Sequence, residues 1–166
     1  MLTGLAGAVG AALIMSPSAA ADPPPPPPPV PNVNGYAPVS PVDYAAMDGA
    51  WYAFGAPGGV TCVLNRQAGG YGCSGPMPGA PGGANFVSAG PTGPPGFATT
   101  PAPVYGMVAD PKPLEANTRL SYRSVSCGTD GVMTACVNSF DQTGFVISPA
   151  GSYIVGEPAL LDRRSG

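Results

Sequence analysis

Four cysteines in two similar clusters constrain the fold of this chain more than any other feature. The first cluster is Val60-Thr61-Cys62 with Cys73, and the second is Val125-Ser126-Cys127 with Cys136. In each, a β-branched residue and a small hydroxyl residue precede the first cysteine, and a turn that contains glycine leads to the second. This pattern is typical of a β-hairpin linked by its own disulfide. The sequence therefore predicts two hairpins, paired as Cys62–Cys73 and Cys127–Cys136.

Residues 1–21 have the features of a secretory signal peptide. Leu2 to Met15 is apolar and uncharged, and Ala19-Ala20-Ala21 supplies the small residues that precede a cleavage site, here before Asp22. No basic residue precedes the apolar stretch, which indicates an initiator upstream or a weak leader. Since the apolar run is shorter than the ~20 residues that span a bilayer, we expect no stable membrane span after cleavage. We expect a secreted or cell-envelope protein, a location that suits disulfides.

Proline and glycine divide the remaining chain into segments. Most of the 24 prolines lie in two stretches, whereas the 25 glycines are spread along the 166 residues. We predict a proline-rich linker or stalk over residues 22–41, a β domain over 42–157 with a Pro/Gly-rich loop at 75–103, and a flexible tail over 158–166. Pro23 to Pro29 is an unbroken run that must adopt polyproline II. The run serves either as a stiff spacer or as a ligand for an aromatic groove on a partner.

The segments between these stretches are rich in β-branched and aromatic residues, and none shows helical periodicity. The predicted fold class is mainly β: a small antiparallel sheet or hairpin domain stapled by two local disulfides, with a disordered proline-rich N-terminal segment. Ala84 to Ser88 is predicted as at most an edge strand, and Val104 to Val108 as another strand. Large apolar side chains that could build a core are few: Trp51, Phe54, Val63, Leu64, Leu120, Phe140, Phe145, Ile147 and a handful more.

The C-terminal part carries a spaced set of residues: Leu120, Cys127, Gly131-Val132, Cys136, Gly144-Phe145, Ile147-Ser148 and Tyr153. This GV…C…GF-x-I-S pattern resembles the C-terminal half of a group of small exported actinobacterial domains of unassigned function. The ADPPPP sequence that begins at Ala21 is similar to the mature start of mycobacterial exported proteins. The resemblance implies an exported β domain and implies no catalytic residues.

Charge and composition exclude several classes of function. Nine acidic and six basic residues give a net charge of −3, which argues against nucleic-acid binding. Because the chain has no histidine, Ser-His-Asp and Cys-His catalysis and histidine-ligated zinc are excluded. The wide spacing within each cysteine pair does not fit a zinc knuckle. We therefore predict neither a metal site nor a cofactor.

Few groups remain that could support catalysis. Lys112, the sole lysine, lies between two prolines in a predicted loop. Asp110, Asp130 and Asp141 are candidate carboxylates for hydrolysis, but their setting is more typical of ordinary turn chemistry. The sequence therefore predicts no catalytic residue.

The candidate ligand surface consists of Trp51, Tyr52, Arg119 and Arg123. Alternation along a strand would send Trp51 to one face and Tyr52 with Phe54 to the other, so these aromatics are either core or a platform for carbohydrate or protein. Arg119 and Arg123 would share one strand face, either as a solvated stripe or as an anion-facing patch. We predict a non-catalytic exported module that binds an unknown envelope component or protein partner. The alternative is a secreted hydrolase or inhibitor that acts on cell-wall material.

Cleavage before Asp22 predicts the composition of the secreted protein. Mass spectrometry of culture filtrate from the native host should recover a mature terminus at Asp22-Pro23, because Ala19-Ala20-Ala21 provides the cleavage site. Recovery of the uncleaved chain alone, in the membrane fraction, would show that residues 1–21 are an anchor.

Overall fold

The computed structural model describes residue 4, residues 7–23 and residues 25–156. The predicted tail over 158–166 and part of the predicted leader lie outside these ranges. Within them, no helix combines the length and apolar character needed to cross a bilayer.

Twelve strands form two six-stranded sheets in the described part of the chain. Their bounds are β1 Ala37–Pro38, β2 Ala45–Ala46, β3 Trp51–Ala56, β4 Val60–Asn65, β5 Tyr71–Ser74, β6 Phe86–Ala89, β7 Gly96–Ala98, β8 Thr118–Tyr122, β9 Val125–Thr129, β10 Thr134–Asn138, β11 Thr143–Ile147 and β12 Tyr153–Val155. Short 3₁₀ helices occupy Val33–Gly35, Pro41–Tyr44 and Pro81–Gly83. The predicted mainly β fold is confirmed.

The two sheets have the same construction. In sheet I, strands β3 to β7 follow one another as an antiparallel meander, and the two-residue strand β2 pairs with β3. In sheet II, strands β8 to β12 form the second meander, and β1 pairs with β8 in parallel. Each half of the fold is thus a five-stranded meander extended by one short strand from the N-terminal region.

The disulfides join directly opposed residues of neighbouring strands. Cys62 on β4 faces Cys73 on β5, and Cys127 on β9 faces Cys136 on β10. The two Cα–Cα distances are 4.1 and 4.0 Å, typical of the close, non-hydrogen-bonded antiparallel pair. Each cysteine is the third residue of its strand. Each disulfide joins the second and third strands of its meander. Both predicted disulfides are confirmed.

The sheets pack face to face, and their inward side chains form one shared core. All four cysteines are fully buried in it. Tyr71 of sheet I stacks on Phe145 of sheet II with ring centroids 5.8 Å apart. Tyr52 meets Tyr122 edge-on across the same interface at 5.4 Å. Because hairpins from both halves bury the same surface, the two predicted hairpins are parts of one β-sandwich.

The fold includes part of the segment predicted as linker. Val33 is buried on the outer face of sheet II against Ala135 and Val146, and β1 follows it. A Cβ on Gly128 of β9 would lie 2.7 Å from the Tyr36 ring and 3.1 Å from a Val33 methyl, so this glycine lets the segment approach the sheet. The folded region therefore begins before the predicted boundary at residue 42. Scattered apolar residues among prolines carry no periodic signal of this packing.

Three further expectations differ from the structure. Residues 75–103 are not a single loop, because Phe86–Ala89 is an interior strand paired on both sides and Gly96–Ala98 is the edge strand. The prolines of this stretch fall between the strands and so remove no ladder donor. Val104 to Val108 forms turns, not a strand. Phe140, expected in the core, is 72% exposed in the turn between β10 and β11.

The equivalent positions of the two disulfides predict equal contributions to stability. Replacing both cysteines of one pair with alanine should lower the free energy of unfolding by about 2–4 kcal/mol, since each bridge closes a short loop in the unfolded chain. Urea denaturation of Cys62→Ala/Cys73→Ala and of Cys127→Ala/Cys136→Ala measures both losses. An unchanged midpoint in either variant would mean that this bridge does not stabilise the sandwich.

Candidate ligand-binding site

The structure separates the four residues of the predicted ligand surface. Tyr52 points into the interior and is 6% exposed, whereas Trp51 lies half-buried on the outer face of sheet I. This is the predicted alternation. Arg119 lies on the outer face of sheet II, where its Nη1 donates to the carbonyl of Asn34 at 3.2 Å. Arg123 lies in the turn after β8. The expectation that Arg119 and Arg123 share one strand face is therefore wrong.

Tyr52 and Arg123 help to close one end of the sandwich. The Arg123 guanidinium stacks over the Tyr122 ring at 5.3 Å, and its Nη2 donates to the Arg66 carbonyl at 3.4 Å. The Arg66 guanidinium stacks over the Tyr52 ring at 4.9 Å and donates to the Gly49 carbonyl at 2.6 Å. These contacts join turns from both sheets. Tyr52 and Arg123 are thus engaged in structure, which leaves Trp51 as the accessible aromatic.

Trp51 belongs to an aromatic cleft on the outer face of sheet I. We define the cleft by Trp51, Asn65, Phe86, Ser88 and Tyr105, which line a concavity of about 190 Å³. The Tyr105 ring stands nearly perpendicular to both neighbouring rings, with centroids 5.6 Å from Trp51 and 5.8 Å from Phe86. Phe86 and Tyr105 were not predicted as ligand residues, because they are distant from Trp51 in the sequence. Strand pairing brings Phe86 to Trp51, and Tyr105 belongs to the crossover, residues 99–117, which connects sheet I to sheet II.

A glycine makes room for the central ring of the cleft. Gly72 of β5 faces outward, and a Cβ there would lie 2.8 Å from the Tyr105 hydroxyl and 2.5 Å from the Val87 carbonyl. The absent side chain lets the Tyr105 ring lie on the sheet. Two hydrogen bonds hold the turn around it: Val104 N donates to Ser74 Oγ at 3.1 Å, and Val108 N donates to the Tyr105 carbonyl at 3.0 Å. The cleft is therefore preformed.

The cleft is electrically neutral and offers hydrogen-bond donors. None of the described residues that line it is charged. Burial raises the pKa of Tyr105 to about 12, so its hydroxyl stays protonated at physiological pH. Asn65 Oδ1 accepts the backbone N–H groups of Gln67 and Ala68 at 2.9 Å each, which assigns its amide nitrogen as the outward donor. With the Trp51 indole N–H, the cleft presents apolar rings and donors together.

A larger groove lies at one end of the sandwich but lacks such polar groups. It encloses about 370 Å³ between turns of both sheets, and its lining includes Pro57, Pro76, Pro78, Val132 and Pro149. Its one hydroxyl side chain, Ser148, is buried and accepts the backbone N–H of Ala150 at 3.1 Å. A ligand site needs polar groups that fix orientation as well as apolar surface. The aromatic cleft meets this requirement better despite its smaller volume.

The candidate catalytic groups are dispersed. Asp130 accepts the N–H groups of Val132 and Met133 at 2.8 and 2.7 Å, and Asp141 accepts the Gly93 N–H at 2.7 Å. The Thr143 hydroxyl, which donates to Asp141, lowers the pKa of that carboxyl. These two carboxylates lie at opposite ends of the five-residue strand β10, roughly 17 Å long. They therefore stabilise separate turns and form no carboxylate pair.

The other two candidate catalytic residues, Asp110 and Lys112, lie in the crossover. Asp110 has a left-handed backbone (φ 45°). Lys112 places its Nζ 4.7 Å from the centre of the Tyr44 ring. No group of three or more His, Cys, Asp or Glu side chains that could hold a metal ion occurs among the described residues.

Comparison of the chain with protein-family models, with curated proteins and with solved structures gave no match.

Two buried tyrosines predict a loss of stability at alkaline pH. Burial raises the pKa of Tyr71, like that of Tyr105, to about 12. The unfolded chain loses these protons near pH 10, before the folded chain does, so the free energy of unfolding should fall as pH rises from about 10 to 12. Tyr71→Phe and Tyr105→Phe should each reduce this loss in thermal melts from pH 8 to 12. A loss of the same size in both variants would contradict the assignment.

Proposed function

We propose that the chain is an exported, non-catalytic binding module of the cell envelope and that the aromatic cleft is its ligand-contact surface. The observation that carries the proposal is the packing of Tyr105 on Gly72, which places three aromatic rings and several donors in one preformed concavity. Preformed sites bind more tightly because less conformational freedom is lost on association.

The chemistry of the cleft defines the class of ligand. Aromatic faces favour flat or ring-shaped apolar surfaces, and the donors of Trp51, Asn65 and Tyr105 favour exposed oxygen acceptors. The absence of charge among the described lining residues favours an uncharged ligand. A sugar ring and a proline-rich backbone both satisfy these requirements.

The proposed location rests on three features of the chain. Two buried disulfides are compatible with an extracytoplasmic protein. Residues 1–21 read as a secretory leader, and the C-terminal motifs resemble those of exported actinobacterial domains. No observation gives similar support to the alternative of a wall hydrolase, because Asp130 and Asp141 lie apart and each caps its own turn.

Binding to the cell envelope tests the proposal. The full chain, secreted by an expressing host, should sediment with envelope fragments, and Trp51→Ala should weaken the apparent affinity at least about tenfold, as expected for a central aromatic contact. Ser88→Arg should have the same effect, because it fills the cleft with a charged side chain and removes no core residue. Phe140→Ala is the matched control, since Phe140 is an exposed aromatic outside the cleft.

Circular dichroism and thermal melts establish that each variant is folded. Equal sedimentation of the parent, Trp51→Ala and Ser88→Arg chains would remove the cleft as the binding surface. Failure of the parent chain to bind envelope fragments would remove the proposed function.

A further inference from the structure

We infer that the aromatic cleft binds the proline run of a second copy of this chain, through Pro25–Pro27. The inference rests on the proposed function, because it names the ligand of the same cleft. It is carried by two features of the same chain that lie on opposite faces of the sandwich: an aromatic cleft and an exposed run of prolines.

The run has the properties of a preformed ligand. Consecutive prolines adopt polyproline II, in which no N–H group competes for the carbonyl oxygens and every carbonyl faces solvent. Pro25, Pro26 and Pro27 are exposed in the structure. Since the rod is already stiff, docking it costs little conformational entropy.

The cleft matches this ligand in shape and polarity. Trp51 and Phe86 flank Tyr105, whose ring is turned 75° and 68° from theirs, so the rings form walls instead of one flat platform. Because the neighbouring rings are already in contact, proline rings of a polyproline II rod would pack onto this ridged surface, where donors beside the rings reach the carbonyls. Trp51 and Tyr105 carry the N–H and O–H groups of the cleft that serve as donors. Both the run and the cleft are uncharged, so neither pays a charge-desolvation cost on docking.

The fold already uses this kind of contact once. On the outer face of sheet II, the Tyr153 hydroxyl donates to the carbonyl of Pro28, the residue that follows Pro25–Pro27. There the N-terminal segment packs on its own sheet through Val33. Among the described residues, no N-terminal segment lines the cleft on the outer face of sheet I, and Trp51, Phe86 and Ser88 remain partly exposed there.

The run cannot occupy the cleft of its own molecule. Pro28 is fixed on the outer face of sheet II, and the cleft lies on the outer face of sheet I. Pro25–Pro27 extend only ~9 Å from Pro28 as polyproline II. The two sheets alone are ~10 Å apart, and the rod is too stiff to bend around the sandwich edge. The run that we place in the cleft is therefore that of another copy, and such head-to-tail contacts generate rings or open chains of molecules.

Complementation between two variants tests the contact. Trp51→Ala removes the cleft and keeps the run, while Pro25→Gly/Pro26→Gly/Pro27→Gly keeps the cleft and removes the rod. In sedimentation velocity the parent chain should form species that grow with concentration, and each variant alone should stay monomeric. A mixture of the two should form a 1:1 complex, because one intact cleft meets one intact run. Ser88→Arg replaces Trp51→Ala if the latter is unfolded.

A titration identifies the occupant directly. Trp51 is the single tryptophan of the chain, so its emission reports on the cleft alone. A synthetic Asp-Pro₇ peptide should change this emission saturably in the variant Pro25→Gly/Pro26→Gly/Pro27→Gly, whose cleft is intact. The same peptide should leave the emission of Ser88→Arg unchanged. A response to neutral oligosaccharides with none to the peptide would overturn the inference and assign the cleft to glycan.

The two proposals fail in different ways. Monomeric behaviour of the parent chain at all concentrations, together with cleft-dependent sedimentation with envelope fragments, would overturn self-association and leave the proposed function standing. Self-association that survives both Trp51→Ala and Ser88→Arg would overturn the placement of the contact in the cleft.

Discussion

The contact between the two sheets, with one disulfide set into each, is the interaction on which the rest of the structure depends. The chain has few large apolar side chains, and glycine and proline make up much of its length. The shared core is nevertheless well filled, because both cysteine pairs point inward and are fully buried beside stacked aromatic rings such as Tyr71 and Phe145. Each bridge fixes the register of two central strands. The neighbouring strands pair with these two, and the register determines which side chains face outward.

Similar halves with differently covered outer faces create the site. Each half is a five-stranded meander whose disulfide joins its second and third strands. On sheet II the N-terminal segment packs against the outer face through Val33, and Gly128 permits its approach. On sheet I the crossover lays Tyr105 over Gly72 and leaves Trp51 and Phe86 partly open. On each outer face a glycine admits the covering segment, and the side chains of that segment determine whether the sheet is sealed or keeps a cleft.

Local patterns predicted the hairpins but not the assembly. The cysteine spacing and the β-branched residues before Cys62 and Cys127 predicted both disulfides correctly, because hairpin register is a short-range property. Sheet pairing across the Pro/Gly-rich stretch was not visible, because strand β6 is only four residues long and its partners lie on either side of long turns. Of the five residues that define the cleft, only Trp51 belonged to the predicted ligand surface. Trp51 faces outward as alternation requires, but Tyr105 reaches it through a crossover whose path no periodicity encodes. The predicted strand face of Arg123 was wrong because β8 ends at Tyr122. Arg123 follows in a turn, where its φ is 53°.

The central functional claim is that a ligand contacts the preformed cleft beside Trp51. The indole N–H of this residue gives a single resonance in a ¹H–¹⁵N correlation spectrum, since the chain has one tryptophan. The account predicts that this signal shifts saturably as soluble envelope fragments or a proline peptide are added to the parent chain. It also predicts no such shift in Ser88→Arg, whose charged side chain fills the cleft. A stationary indole signal in the parent chain, with ligand-induced shifts confined to amides of sheet II or of the end groove, would contradict it.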